Sequence, residues 1–225
     1  MPDSPLITAA DLADRLGDAD LRIVDASWRL DGRDCRPDHE SARLPGAVFF
    51  DLELSSDTSA DLPHMLPPPA AFAVRMGALG LSDADRIVVY DSVGLWSAPR
   101  VWWMLKAMGA GRVQVLDARP AARFRGEAAE PRAGLRSGHM PGARNLPFPE
   151  LLTPDGRLKP AQDLRAAFVA SGIDTERPVT TTCGSGVTAA ILGLGLAALG
   201  RPFRLYDGSW AEWGAPDGGP VATGP

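Results

Sequence analysis

Residues Pro178–Gly200 read PVTTTCGSGVTAAILGLGLAALG. A β-branched run, Val179–Thr182, meets a short loop with glycines at Gly184 and Gly186. A helix-forming apolar run then continues to Leu199, where Gly200 supplies a stop. Strand, tight loop and helix in that order form the building unit of a parallel sheet covered by helices. The whole stretch is uncharged, yet its first part is polar. Only Val187–Gly200 is membrane-like, which is too short to span a bilayer, so a buried helix is expected.

Outward from this stretch the chain repeats itself. LRIVDAS at Leu21–Ser27 is echoed by VQVLDAR at Val113–Arg119, RLPGAVFF at Arg43–Phe50 by HMPGARNL at His139–Leu146, and RIVVYDSVG at Arg86–Gly94 by RPVTTTCGSG at Arg177–Gly186. The three echoes keep the same order and nearly the same offset, which predicts two copies of one α/β unit, at residues 1–112 and 113–225. Asp91 of the first copy stands where the second carries Cys183, so only the second holds a nucleophile, and the first is expected to wall the site. One segment does double duty: GRVQVLD at Gly111–Asp117 resembles both the opening strand LRIVD and the closing strand RPFRLYD at Arg201–Asp207. Either the second copy therefore lacks its opening helix or the first lacks its closing strand.

Composition sets the limits. With 225 residues, 45% of them apolar and 23% charged, the chain can bury a core and is neither fibrous nor disordered. A net charge of −5 argues against general nucleic-acid binding, which needs a basic face. Two cysteines, Cys35 and Cys183, make no disulfide framework and no metal cluster, and a reducing compartment is expected. The amino terminus has acids where a signal peptide needs positive charge, so the expectation is a cytoplasmic protein with no membrane partner. The Pro- and Gly-rich end, Gly214–Pro225, reads as a flexible tail.

A cysteine between a strand end and the first turn of a helix lies among N–H groups with no intrahelical partner, and these favour a thiolate or a thiolate-derived anion. Gly184 and Gly186 allow the positive φ that lets such amides converge, and Ser185 and Thr188 add hydroxyl donors. The plain alternative is that Cys183 is a small buried hydrophobe. Cysteine phosphatases need an arginine six residues after the nucleophile; Ala189 stands there, so sulfur transfer fits better than phosphoryl chemistry. This reading requires loop amides that face the sulfur and a thiol that is not sealed inside. Cys35, in GRDCRPDHE, has no comparable context.

CGSGVTA at Cys183–Ala189, with YDGSW at Tyr206–Trp210 and EWG at Glu212–Gly214, resembles the active-site region of the 3-mercaptopyruvate sulfurtransferases, the tandem rhodanese-domain enzymes. GRD, PHMLP, RVWWML and RFRGE followed by EPR resemble further segments of that family. The resemblance implies an α/β fold of two rhodanese-like domains, each a mostly parallel sheet flanked by helices, with the junction shortened near Leu116. It also implies roles. Cys183 is the nucleophile; Gly184, Gly186, Val187 and Thr188 cradle the substrate; and Arg123 and Arg132 hold its carboxylate. Glu53, where many members carry Asp, and His64 act on Ser185. The implied reaction moves sulfur from 3-mercaptopyruvate to a thiol such as thioredoxin, or to cyanide, through a Cys183 persulfide, with no cofactor. Related thiosulfate enzymes carry charged residues in this loop, so the uncharged CGSG points to mercaptopyruvate. A thiosulfate-preferring persulfide carrier and an inactive sulfur-binding scaffold are the alternatives. The shortened junction leaves open whether Glu53 and His64 reach Ser185.

Overall fold

In the computed structural model, which describes residues 6–7, 9–92, 94–107, 114–117 and 125–224, the first sheet forms around Leu21–Asp25 (β1). Val48–Phe49 (β2) pairs with it in parallel on one side. Arg86–Tyr90 (β3) pairs in parallel on the other, from Leu21 opposite Arg86 to Asp25 opposite Tyr90. Helices Ala9–Ala13 (α1), Arg36–Ser41 (α2), Pro69–Ala78 (α3) and Ala98–Lys106 (α4) complete this unit. Prolines sit in the first turn of α2, α3 and α4, where a missing N–H leaves no bond unmade.

The second sheet repeats the plan and extends it. Gln114–Asp117 (β4) pairs in parallel with Arg144–Asn145 (β5) and with Val179–Thr182 (β6), and β6 pairs in parallel with Phe203–Leu205 (β7). The orders are β2-β1-β3 and β5-β4-β6-β7. Helices Ala161–Ala170 (α5), Ala189–Ala198 (α6) and Ser209–Trp213 (α7) belong to the second unit. The double-role segment thus serves as the opening strand of the second sheet. Among the described residues the first sheet has no counterpart of β7, so β3 is an edge strand and half-buried, whereas β6 is buried along its length. The expected boundary after Arg112 lies outside the described residues.

Helix α6 is apolar on every side and buried from Ala189 to Leu196, as its sequence requires, and no described helix is long and apolar enough to cross a membrane. A glycine inside a helix costs about 1 kcal/mol relative to alanine. Gly193 is nevertheless needed, because a Cβ there would lie 2.1 Å from the Phe203 ring. Phe203 in turn stacks on Trp102 of α4 at 6.1 Å, and Trp96 meets Phe148 edge-on at 5.2 Å. These ring pairs lock the first unit onto the second.

The expectation of a flexible tail is corrected. Ala222 and His139 exchange backbone hydrogen bonds of 2.8 and 2.9 Å, and Pro220 O accepts the Trp213 indole N–H at 2.7 Å. Arg136 donates to the carbonyls of Trp213 and Gly219. The glycines permit this docking: a Cβ at Gly138 would lie 2.3 Å from Ala222 O. Small residues here mark close backbone approach rather than looseness.

Candidate functional site

Cys183 follows the last residue of β6, and α7 seats directly beneath it. The Trp210 and Ala211 amides donate to the carbonyls of Cys183 and Gly184, each at 2.9 Å, and the Cys183 amide donates to Ser209 Oγ at 3.2 Å. Ser209 is fully buried with φ of 49°, so the YDGSW segment is the floor of the loop. Among the described residues no acceptor takes the amides of Gly184, Ser185, Gly186, Val187 or Thr188. Five successive free N–H groups before the N-terminus of α6 form a ready site for an anion.

The expectation of an open thiol is corrected at this point. Cys183 is 2% exposed and packs in the second core with Leu192 and Leu196, because it prolongs a strand buried along its whole length. Val187 can take part in the cradle through its backbone only. Its side chain is buried among Val24, Phe50 and Met104 of the first core, so it anchors the loop to the other unit and offers the site only its backbone. Gly184 and Thr188 are half-buried. Gly186 has φ of 78°, and a Cβ there would lie 2.7 Å from an Arg100 guanidinium nitrogen.

The three residues from distant segments do meet. His64 Nδ1 lies 3.3 Å from Ser185 Oγ, and His64 Nε2 lies 3.0 Å from Glu53 Oε1. Glu53 Oε1 also accepts the Trp28 indole N–H at 2.8 Å, and the Trp28 ring meets His64 edge-on at 4.9 Å. Glu53 can only accept when ionised, so Nε2 carries the ring proton and Nδ1 is left to accept the Ser185 hydroxyl. Burial pushes the His64 pKa below its ordinary 6.5; Glu53 opposes that, while the charges of Arg100 and Arg132 reinforce it. For Glu53, burial acts upward, but the Trp28 hydrogen bond, His64 and Arg132 outweigh it and hold the carboxyl below its ordinary value. The histidine is thus poised neutral and the carboxylate charged.

Arg132 is half-buried, and its charge acts on both Glu53 and His64. Among the described residues its guanidinium makes no hydrogen bond or ion pair. Arg123 lies outside the described residues.

The matching loop of the first unit carries its own anion. The Asp91 carboxylate accepts the amides of Trp96, Ser97 and Ala98 on one oxygen at 2.8, 3.0 and 2.8 Å, and that of Gly94 on the other at 2.9 Å. A strand, this loop and a helix therefore gather N–H groups around whatever negative group the strand end presents.

A match to the rhodanese-like domain covers residues 8–116 and again 103–216. The chain belongs to the rhodanese-like family. The two rhodanese-like matches overlap over residues 103–116, the stretch that contains the double-role strand β4. The chain is 38% identical over 261 residues to 3-mercaptopyruvate sulfurtransferase of Escherichia coli K12, covering 91% of this chain and 92% of the relative. It is also 38% identical over 251 residues to 3-mercaptopyruvate sulfurtransferase of Rattus norvegicus, covering 86% of this chain and 84% of the relative. The crystal structure of SseA from Escherichia coli, a 3-mercaptopyruvate sulfotransferase, superposes with a TM-score of 0.81 at 35% identity, covering 93% of this chain and all of the other. An alignment of 261 positions that uses 91% of a 225-residue chain leaves tens of positions of the relative without counterpart, in keeping with the three-stranded first sheet.

Arg100, Asp207, Trp28 and Ser209 were not singled out by sequence. Arg100 and Asp207 lie in SAPR and YDGSW, but a buried ion pair between segments more than a hundred residues apart has no local signature. The Trp28 indole N–H holds Glu53 in place.

Proposed function

We propose that this rhodanese-like protein is a 3-mercaptopyruvate sulfurtransferase that carries sulfur on Cys183. The Cys183 thiolate attacks the substrate sulfur, the carbon–sulfur bond breaks, and its electron pair passes into the enolate of pyruvate. As the proton of the substrate thiol moves to Ser185 Oγ, the serine's own proton passes to His64 Nδ1, and the reverse transfer delivers a proton from Ser185 to the enolate carbon. Pyruvate leaves and a persulfide remains on Cys183. A second thiol then takes the outer sulfur and regenerates the thiolate.

The contact of Ser185 with His64 and Glu53, on the same loop as Cys183, carries this reading. The five free loop amides support it by offering hydrogen bonds to the persulfide anion, as the first loop does for Asp91. Arg132, which makes no hydrogen bond or ion pair among the described residues and whose charge acts on Glu53 and His64, is the group for the substrate carboxylate, with Arg123 as its expected second. The 2% exposure of Cys183 stands against the accessible thiol this reading requires, and sulfur loading at Cys183 is the experiment that decides the matter. Pyruvate release should be faster with 3-mercaptopyruvate than sulfur transfer is with thiosulfate, and Cys183→Ser should abolish both. A strong preference for thiosulfate would overturn the carboxylate role of Arg132.

A further inference from the structure

Arg100 stands in the first turn of α4 and is completely buried, although it carries a full charge. A buried guanidinium is costly unless its charge is paired and its donors find acceptors; in Arg100 the two terminal nitrogens are satisfied, while Nε has no partner among the described residues. One terminal nitrogen donates to Asp207 Oδ1 and the other to the backbone carbonyl of His64. Its face rests against the Trp103 ring at 4.6 Å. The second oxygen of Asp207 accepts the Leu66 amide at 2.5 Å. Arg100 and Asp207 therefore grip the chain on both sides of Met65.

Two further facts show what that grip holds. His64 sits at φ of 60°, a region that L residues enter only when surrounding contacts dictate it. Gly186 lies directly over the same guanidinium, so close that any side chain there would collide with it. One buried cation from the first unit thus touches both parts that must meet, the backbone of His64 and the loop of Ser185. The aspartate that completes the pair comes from the second unit.

We infer that Arg100 is a positioning residue for the sulfur-transfer step, acting with Asp207 to hold His64 Nδ1 at Ser185 Oγ across the two rhodanese-like units. The inference rests on the relay proposed above. Lysine at this position would keep the charge but could not bond His64 O and Asp207 Oδ1 in the geometry of a planar fork.

The test is a double-mutant cycle on pyruvate release from 3-mercaptopyruvate, using Arg100→Gln, His64→Ala and both together. Arg100→Gln should lower kcat by at least about tenfold, a loss that a shift well below 1 Å can produce, with KM nearly unchanged. The same change should add no further loss in the His64→Ala protein, because the two residues act as one unit. The acid limb of the pH profile should move upward in Arg100→Gln, where a positive charge beside His64 is gone, and stay in place in Arg100→Lys, which should still be slow. If Arg100→Gln does not fold, Asp207→Asn removes the same grip from the other side and enters the cycle in its place. Full kcat in Arg100→Gln, or losses that simply add in the double mutant, would overturn the inference while leaving the relay intact. Full kcat in His64→Ala would overturn the relay and this inference together.

Discussion

Nδ1 of His64 lies 3.3 Å from Oγ of Ser185, although 121 residues separate them and they belong to different units. The units stay in place because Val187 plugs the first core, Trp102 stacks on Phe203 and Arg100 bonds Asp207. None of these contacts involves the strand position that the first sheet lacks.

Ser185→Ala and His64→Ala should each lower kcat for pyruvate release by about 10²- to 10⁴-fold, the range for loss of a positioned proton-transfer group. Glu53→Gln should cost less, since the Glu53 side chain is 63% exposed and Trp28 remains beside the ring. Steady-state kinetics on the three variants checks the order. Equal activity of Ser185→Ala and the parent would remove the relay from the mechanism.

The relay needs His64 neutral, and burial sets its pKa below 6.5 in the folded protein. The acid limb of kcat/KM should therefore fall below pH 6.5 rather than at it. Stability follows the same sign: the unfolded chain binds the proton more readily, so the His64 contribution is complete above pH 6.5 and is lost as pH falls through the lower folded value. Urea unfolding of the parent and of His64→Gln across this range should show the slope in the parent alone.

Arg132→Gln should raise KM for 3-mercaptopyruvate more than it lowers kcat, because a charge-assisted bond to the substrate carboxylate contributes to ground-state binding. A substrate analogue without the carboxylate should lose most of its sensitivity to this change. Unaltered KM in Arg132→Gln would remove that arginine from the substrate site.

Asp91→Ala should destabilise the protein by about 1.5–3 kcal/mol, the range for hydrogen bonds to a charged group, since four amides lose their acceptor. Urea unfolding measures the loss. Sulfur loading at Cys183 should persist in the folded variant, because Asp91 belongs to the loop without a nucleophile.

The strand, loop and helix at Val179–Ala198 were legible because β-branched residues, paired glycines and an unbroken apolar run each specify local geometry. The repeat was legible for the same reason, as collinear echoes of short strands. Which sheet would keep the segment at Gln114–Asp117 was not, since the same residues suit both positions and only tertiary pairing with Thr180 and Thr182 decides. Cys183, His64, Ser185 and Glu53 came from motif and resemblance, and the structure brings the last three into contact. Arg100 and Asp207 escaped because a buried ion pair is a property of packing rather than of neighbouring letters. The docking of the tail on His139 escaped because glycine-rich sequence marks close approach and looseness alike.

The central claim is a sulfur held on Cys183. Incubation with 3-mercaptopyruvate, followed by intact mass measurement and peptide mapping, tests it most directly. The account predicts a gain of one sulfur, about 32 Da, confined to the peptide that contains Cys183, reversed by a thiol and absent in Cys183→Ser, as covalent catalysis requires. Pyruvate release without any mass gain at Cys183, or the same release from Cys183→Ser, would contradict it.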